Sequence, residues 1–144
     1  MNFTKPISKL LDEVKKAFIQ DQIDKGIKSS GASAKSIKKE SKETSGTLTG
    51  DAYFYQQRHG RKPGRFPPIS AIISWIQAKG IQPTDISEKS LAFLIARKIS
   101  KQGTDIYTGK RPALDPDEKV QTLVAEFSRQ IGKALKQDTI NSFK

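Results

Sequence analysis

The segment from Arg58 to Gly80 constrains the fold more than any other part of this 144-residue chain. Its first part carries five residues that forbid a regular helix or a central strand, Gly60, Pro63, Gly64, Pro67 and Pro68. The same part carries four positive charges and no acid, the cations being Arg58, Arg61, Lys62 and Arg65. The sequence therefore predicts a rigid, exposed and basic loop over residues 58–68.

An amphipathic helix is predicted directly after this loop. Proline suits the first turn of a helix, and Pro68 precedes an apolar stripe at helical spacing formed by Ile69, Ile72, Ile73 and Ile76. Gly80 is typical of the position just past a helix end. Trp75 flanks the stripe, so we expect it to anchor the core or an interface rather than to stack on a base.

Three further segments have a helical apolar period. One predicted helix lies within residues 1–28. A second follows one of two N-cap candidates, Ser87 or Ser90, and ends near Gly103. The third begins after Asp115, and its stripe from Val120 to Leu135 predicts the longest element of the core. Across the chain, the predicted core or interface anchors are Phe54, Ile72, Trp75, Ile76, Leu91, Ile95 and Phe127.

Residues 29–57 are predicted to contain a β-hairpin. Ser45-Gly46 is a candidate turn, and the aromatic residues Tyr53, Phe54 and Tyr55 favour a strand with Phe54 facing the core. Residues 28–46 form a polar segment rich in serine and lysine. Because residues 35–46 within it are very polar, this part is expected to be an edge or exposed strand, or else a mobile loop. The predicted fold class is α+β, with a small antiparallel sheet packed against about four amphipathic α-helices in one domain over residues 1–144. Residues 68–144 form its helical part.

Composition restricts the classes of function. The net charge of +11 and the pI near 9.9 permit binding to nucleic acid, to an acidic protein surface or to anionic lipid. The absence of cysteine excludes disulfides and thiolate metal sites. No apolar run approaches the roughly 20 residues that a membrane span needs, so we expect no membrane partner.

No catalytic motif can be assembled from these residues. His59 is the single histidine, and its place among arginines favours a structural role over that of a general base. The acidic residues Asp115, Asp117 and Glu118 fit a helix N-terminus without a metal. We therefore expect no enzyme activity, no cofactor, no metal and no small-molecule substrate. The basic loop is open to three interpretations, namely contact with a protein partner, contact with nucleic-acid phosphates, and solvated charge.

The chain resembles the small head–tail joining and tail-completion proteins of tailed bacteriophages, most closely those of Bacteroides and crAss-like phages. The resemblance covers about residues 30–112. It rests on residues 53–64 (YFYQQRHGRKPG), Phe66-Pro67-Pro68, Ile72, Trp75-Ile76, Lys79-Gly80-Ile81, Leu91-Ala92-Phe93, residues 95–99 (IARKI) and Gly103-Thr104.

The resemblance implies a structural virion protein of the neck or tail junction that is synthesised in the host cytoplasm. It implies a homo-oligomeric ring, other neck, portal or tail proteins as partners, and DNA in the lumen as a further candidate partner. Contacts to a subunit or to the DNA path would then fall on Arg58, Arg61, Lys62, Arg65 and Phe66. The alternative function is a nucleic-acid-binding module that uses the basic loop over residues 58–65.

Overall fold

A computed structural model describes residues 2–27 and 31–144 of the chain. The described elements, in chain order, are α1 (Thr4–Asp24), α2 (Ala32–Ser36), β1 (Lys38–Ser41), β2 (Gly46–Thr49), α3 (Tyr53–His59), α4 (Ile69–Ala78), α5 (Glu88–Gln102) and α6 (Asp117–Ser142). The α+β prediction is confirmed, and the two strands pair antiparallel. Four helices have ten or more residues, while α2 and α3 are short additions to the predicted set. Residues 28–30 of the predicted polar segment lie outside the described residues.

The chain groups into two compact units. Unit 1 comprises Met1–Gln20, Lys38–Thr49 and Asp115–Lys144, and unit 2 comprises Asp21–Ile37 and Gly50–Leu114. Each unit is therefore discontinuous in sequence. The expectation of a single domain stays a prediction. None of the described helices is both long enough and apolar enough to cross a membrane.

Unit 2 is built on the packing of α4 against α5. Ile72 and Ile76 of α4 contact Ala92 and Ala96 of α5, and three of these four residues are completely buried. The two alanines lie four residues apart on one face of α5, which lets the larger α4 side chains fill the space between the helices. Half-buried apolar side chains surround this centre, namely Ile69, Ile73, Trp75, Leu91, Ile95 and Ile99.

The ends of α4 and α5 follow the predicted signals. Gly80 has φ 68°, and its N–H donates to the carbonyl of Gln77 while the N–H of Ile81 donates to that of Ile76. This pair of bonds closes the helix in the manner that a glycine after a helix end allows. At the start of α5, Ser87 Oγ accepts from the N–H of Ser90 at 3.1 Å, so Ser87 is the N-cap of the two candidates.

Unit 1 has a smaller buried core. Apart from Pro116, its buried apolar side chains among the described residues belong to α1, namely Ile7, Leu11 and Val14. The hairpin packs on the same face, because a Cβ built on Gly46 would lie 2.5 Å from Ile7 Cγ2 and 3.0 Å from Leu11 Cδ1. The strands themselves are largely exposed, as expected from their polar sequence.

An ion pair joins the hairpin to α1. Lys39 Nζ donates to both carboxylate oxygens of Asp12, at 2.8 and 2.9 Å, and to Ser8 Oγ at 2.9 Å. The hydrogen bond from Lys39 lowers the pKa of Asp12 below its usual range, and nearby lysine charges act in the same direction.

The predicted strand at the aromatic residues is wrong. Residues Tyr53–His59 form α3. The Asp51 carboxylate accepts a hydrogen bond from the N–H of Tyr53 at 3.0 Å, which supports a helical start, and Gln56, Gln57 and Arg58 are good helix formers. Phe54, predicted to face the core from that strand, is half-buried beside Gly50. The local helix signal therefore prevailed over the β propensity of three aromatic residues.

The second half of the chain also holds one correction. Between α5 and α6, residues 104–114 contain turns and no strand, with Thr108 N–H donating to Thr104 O and Lys110 N–H to Asp105 O. The final helix, α6, is the longest in the described chain, but none of its 26 residues, all of them described, is buried. It is therefore not the main element of the core.

Candidate docking site

The basic loop runs from Gly60 to Pro68 and is fastened to the end of α5. Arg61 N–H donates to Thr104 Oγ1, and Thr104 N–H donates back to Arg61 O, both at 2.9 Å. Further along, Gly64 N–H donates to Ser100 O at 2.8 Å. These bonds join residues about 40 positions apart in sequence, so the loop is held by tertiary contacts and not by its prolines alone.

Two glycines permit this close approach. Gly60 has φ 72° and ψ −176°, a conformation that is essentially restricted to glycine. A Cβ at Gly60 would lie 2.7 Å from Thr104 Oγ1 and would also clash with the Tyr107 backbone. Gly103, with φ 82°, lies across the contact, and a Cβ there would be 2.7 Å from Arg61 O. Gly60 was among the predicted loop-shaping residues, whereas the role of Gly103 appears only in the structure.

The loop presents its charges outward. Lys62 and Arg65 are exposed, and among the described residues neither forms an ion pair. Arg61 is half-buried, and its Nη2 donates weakly to Arg65 O at 3.4 Å. Because hydrogen bonds hold the loop backbone and the side chains of Lys62 and Arg65 are exposed, both cations are accessible to an anionic group.

The unit that carries the loop holds most of the excess positive charge of the chain. Counted from the sequence, this unit holds 14 basic and 6 acidic residues, while unit 1 holds 12 and 9. Near the loop, Asp105 lies 3.7 Å from Lys98 Nζ and 4.0 Å from Arg111 Nε. Both are exposed surface pairs and contribute little to stability. The basic excess of the chain is therefore concentrated on the unit that carries the loop.

A groove lies beside the loop. It has a volume of about 410 Å³, with Ile72, Trp75, Ile95 and Ile99 among its apolar lining residues. Arg61, Lys98, Arg111 and Asp105 add charges to the same lining. Tyr53 also lines the groove, and its partial burial raises the pKa of the phenol, helped by the nearby Asp51 carboxylate. The groove combines apolar walls with mostly positive charge, which suits an apolar side chain flanked by acids.

The remaining predicted contact residues lie at the two ends of the loop. Arg58 and His59 belong to the last turn of α3 and not to the loop, and the His59 ring lies 4.5 Å from the Tyr55 ring, between centroids. Phe66 is exposed, and its ring centroid is 5.5 Å from that of Phe93. Pro67 is buried, whereas Pro63, Gly64 and Pro68 are exposed.

The structure brings some of the seven predicted core or interface anchors together and leaves the others apart. Five belong to the α4–α5 core, Ile72 and Ile76 as buried residues and Trp75, Leu91 and Ile95 as half-buried ones. Phe54 is half-buried outside that cluster. Phe127 belongs to unit 1, where it lines a groove between α1 and α6 together with Leu10 and Leu123.

A buried polar cluster in unit 2 was not predicted. Gln22 Nε2 donates to Gln57 Oε1 at 2.7 Å and to Ser33 Oγ at 3.1 Å, and Gln57 Nε2 donates to the same hydroxyl at 3.2 Å. Gln22 Oε1 is buried without a hydrogen-bond partner in the described part of the chain. A glutamine on a polar helix surface gives no signal of burial, so no sequence pattern could have identified these residues.

No group of three or more His, Asp or Glu side chains that could hold a metal ion occurs within residues 2–27 and 31–144. Neither a protein-family model, nor a curated protein, nor a solved structure matches this chain.

Proposed function

We propose that this protein is a structural, self-assembling subunit of the neck or tail junction of a tailed phage. The observation that carries the self-assembly is the helix α6, whose apolar stripe is not buried within the chain. The resemblance of residues 30–112 to head–tail joining and tail-completion proteins supports the phage assignment. The proposal includes a closed ring of identical subunits, placed between other neck, portal or tail proteins in the virion.

The length of α6 and the exposure of its apolar side chains support a partner for this helix. At 1.5 Å per residue its 26 residues extend about 39 Å, and its apolar residues recur every three or four positions from Val120 to Leu135. Val124 and Leu135 remain 44% and 43% exposed. Most of the stability of a helix in a protein comes from packing of its apolar face. An apolar stripe of this length with exposed side chains is expected to be covered in an assembly.

The basic loop supports a second contact in the same assembly. It is held rigidly by the bonds to Thr104 and Ser100, so docking costs little conformational entropy. In a ring, each subunit uses one patch against a different patch of its neighbour, and the contact closes by rotation. The loop charges then meet acids of a neighbouring protein or the phosphates of DNA in the lumen. The proposal treats the chain as one domain whose small sheet packs on its amphipathic helices.

Self-assembly is tested by light scattering coupled to size-exclusion chromatography over a wide concentration range, with negative-stain electron microscopy of the largest fraction. We expect a mass above that of the 16.0 kDa chain and closed rings in the images. A protein that stays monomeric at all concentrations, and that does not enter rings when phage neck or tail proteins are added, would contradict the proposal.

The phage assignment has its own test. The genes next to the one that encodes this chain should include portal, capsid and tail genes, and mass spectrometry of purified particles should detect the chain in the virion. The phage assignment would be contradicted if the neighbouring genes encoded unrelated metabolic enzymes and the chain were absent from phage particles. Self-assembly would still be decided by the first test.

The charge distribution favours one alternative function, a nucleic-acid-binding module. Under this alternative Arg61, Lys62 and Arg65 contact phosphates, and duplex binding should weaken steeply with salt, with a slope of about −0.9 per phosphate contact on logarithmic axes. Replacing all three with alanine should flatten that slope by roughly 2 to 3 units. The matched control removes three exposed cations of unit 1, Lys9, Lys119 and Lys136. Wild-type protein that forms rings but does not bind DNA at physiological salt would exclude the alternative.

A further inference from the structure

The groove beside the basic loop is formed entirely within unit 2. Its walls are mainly apolar, with Ala71 and Ile72 contributed by α4 and Ile95 and Ile99 by α5. Trp75, the single tryptophan of the chain, is half-buried and lines the same groove. The volume of about 410 Å³ lies in the range of sites that enclose a ligand. It is called the Trp75 groove below.

The charged residues in the lining are Arg61, Lys98, Arg111 and Asp105, so three positive charges stand against one negative charge. Lys98 Nζ and Arg111 Nε lie 3.7 and 4.0 Å from the two carboxylate oxygens of Asp105. One carboxylate is therefore shared between two cations, and both contacts are long and at the surface. Such pairs are weak, so an incoming carboxylate can replace Asp105 at small cost. Arg61 forms no ion pair within the described residues.

We infer that the Trp75 groove binds a peptide segment of a partner protein in which a large apolar side chain is flanked by carboxylates. The apolar side chain packs against Trp75 and the isoleucines of α4 and α5, and the carboxylates meet the cations of the lining. The inference rests on the proposed function, for which it names the chemistry of a docking partner. It concerns a surface other than α6, so either contact can be tested without the other.

The cations of the groove are carried by backbone that is already fixed. Arg61 N–H donates to Thr104 Oγ1 at 2.9 Å, and Arg111 N–H donates to Asp105 O at 3.1 Å. At the end of α5, Gly103 N–H donates to Ile99 O at 2.8 Å. Because little of this backbone has to be ordered when a peptide binds, the entropic cost of docking is reduced.

The aliphatic walls favour a peptide over single-stranded nucleic acid. Sites for single strands stack successive bases on aromatic faces along a cationic groove. Here Trp75 is half-buried among isoleucines, and a base placed against Ile95 and Ile99 would leave polar edge groups without hydrogen-bond partners. An apolar side chain gains free energy at the same walls, because it is removed from water there. A carboxylate-flanked apolar side chain therefore matches both the walls and the charges of the groove.

Intrinsic fluorescence reports directly on this groove, because Trp75 is the single tryptophan of the chain. The probe is a synthetic seven-residue peptide with phenylalanine at its centre and three acidic residues on each side, titrated at physiological salt. We expect the emission of Trp75 to shift to shorter wavelength as the phenylalanine excludes water. Peptides with alanine at the centre, or with amides in place of all carboxylates, should each bind at least about tenfold more weakly.

Substitutions at surface positions test whether the peptide lies in the groove. Ala71→Glu places a bulky anionic side chain in the lining and should weaken binding at least about tenfold. Asp105→Asn removes the competing acid and should strengthen binding about threefold or more, which a misfolded variant could not do. The controls, Ala78→Glu and Asp85→Asn, change exposed positions of unit 2 outside the lining. Both should stay within about twofold of the wild type, because distant exposed charges are screened.

Equal affinity for the phenylalanine and alanine peptides, or equal binding by Ala71→Glu and Ala78→Glu, would overturn the inference. So would an oligothymidine that binds more tightly than the peptide and no longer binds Ala71→Glu, which would identify nucleic acid as the occupant. A shift of Trp75 emission on concentrating the protein alone, absent in Ala71→Glu, would overturn it in favour of a second copy. Rings that bind no peptide would overturn this inference alone, and a monomer that binds the peptide would contradict self-assembly alone.

Discussion

The α4–α5 pair of unit 2 and the helix α6 of unit 1 have similar apolar stripes and very different packing. In unit 2, Ile76 is completely buried against Ala92 and Ala96. In unit 1, the stripe of α6 is longer, yet Leu135 is 43% exposed and no residue of this fully described helix is buried. An apolar period therefore predicts which face of a helix favours packing, but not whether the same chain covers that face.

The difference lies in the complementary surface. Ala92 and Ala96 form a small-residue face on α5 into which the isoleucines of α4 fit, so dispersion contacts are made on all sides. On α6, Leu123 and Phe127 border open grooves with α1, and Val124 and Leu135 are exposed. The apolar face of α4 is therefore covered within unit 2, whereas part of the apolar stripe of α6 is exposed in unit 1.

The largest loss of stability is expected when a buried side chain of the α4–α5 core is shortened. Ile76→Ala should lower the free energy of unfolding by about 2–5 kcal/mol, because it removes buried methyl groups and leaves a cavity. The matched change Leu135→Ala on α6 should cost well under about 1 kcal/mol at high dilution, since that side chain is already exposed. Chemical denaturation followed by circular dichroism measures both. Equal losses would show that the two stripes are packed alike.

Raising the protein concentration should separate the effects of Ile76→Ala and Leu135→Ala further. If α6 is covered in an assembly, the loss caused by Leu135→Ala should grow with concentration, because binding adds to the stability of the folded state by mass action. The loss caused by Ile76→Ala should stay constant.

The next largest loss of stability is expected where the basic loop packs against residues 104–107. Gly60→Ala should cost about 1–3 kcal/mol through its backbone conformation alone, and the clash with Tyr107 and Thr104 should add to this. Gly109→Ala is the control, since Gly109 also has positive φ, at 79°, but no atom lies within 4 Å of its added Cβ. Thermal unfolding compares them. A loss at Gly109 as large as that at Gly60 would mean that the close approach contributes nothing.

A similar or smaller loss is expected in the buried polar cluster. Gln22→Leu removes the donor to Gln57 Oε1 and should cost about 1–3 kcal/mol, because a buried acceptor is left unsatisfied. Adding Gln57→Leu removes the orphaned group, so the double variant should lose less than the sum of the single ones. Urea unfolding of the four proteins completes the cycle. Strict additivity would argue against a coupled cluster.

The smallest effect is expected at the Asp12–Lys39 pair on the surface of unit 1. The folded pKa of Asp12 is lowered, so its contribution is present above the unfolded pKa of about 4 and is lost as pH falls through the folded value. Stability of the wild type should therefore fall more between pH 6 and strong acid than that of Asp12→Asn. Lys39→Gln should reduce the acid dependence in the same way. Melting temperatures across this pH range test both predictions. Identical slopes of melting temperature against pH for all three proteins would contradict a stabilising role of the pair.

Much of the helical framework is predictable from sequence because its signals are local. Ser87 caps α5 and Gly80 ends α4 as their residue types indicate, since both act on hydrogen bonds within a few residues. The strand predicted at Tyr53 failed because the Asp51 side chain supports a helical start and outweighs aromatic β propensity. The polar cluster of Gln22 and Gln57 was not predictable, since its members are 35 residues apart and carry no local mark of burial.

The glycine- and proline-rich basic loop and the apolar stripes follow from residue type and near-neighbour spacing, so they can be predicted directly from the amino-acid sequence. The folded chain adds that Thr104 and Ser100 hold the loop, that α4 packs on Ala92 and Ala96, and that no residue of α6 is buried. These features could not be predicted, because packing and long-range hydrogen bonds depend on which distant surfaces of the folded chain are complementary.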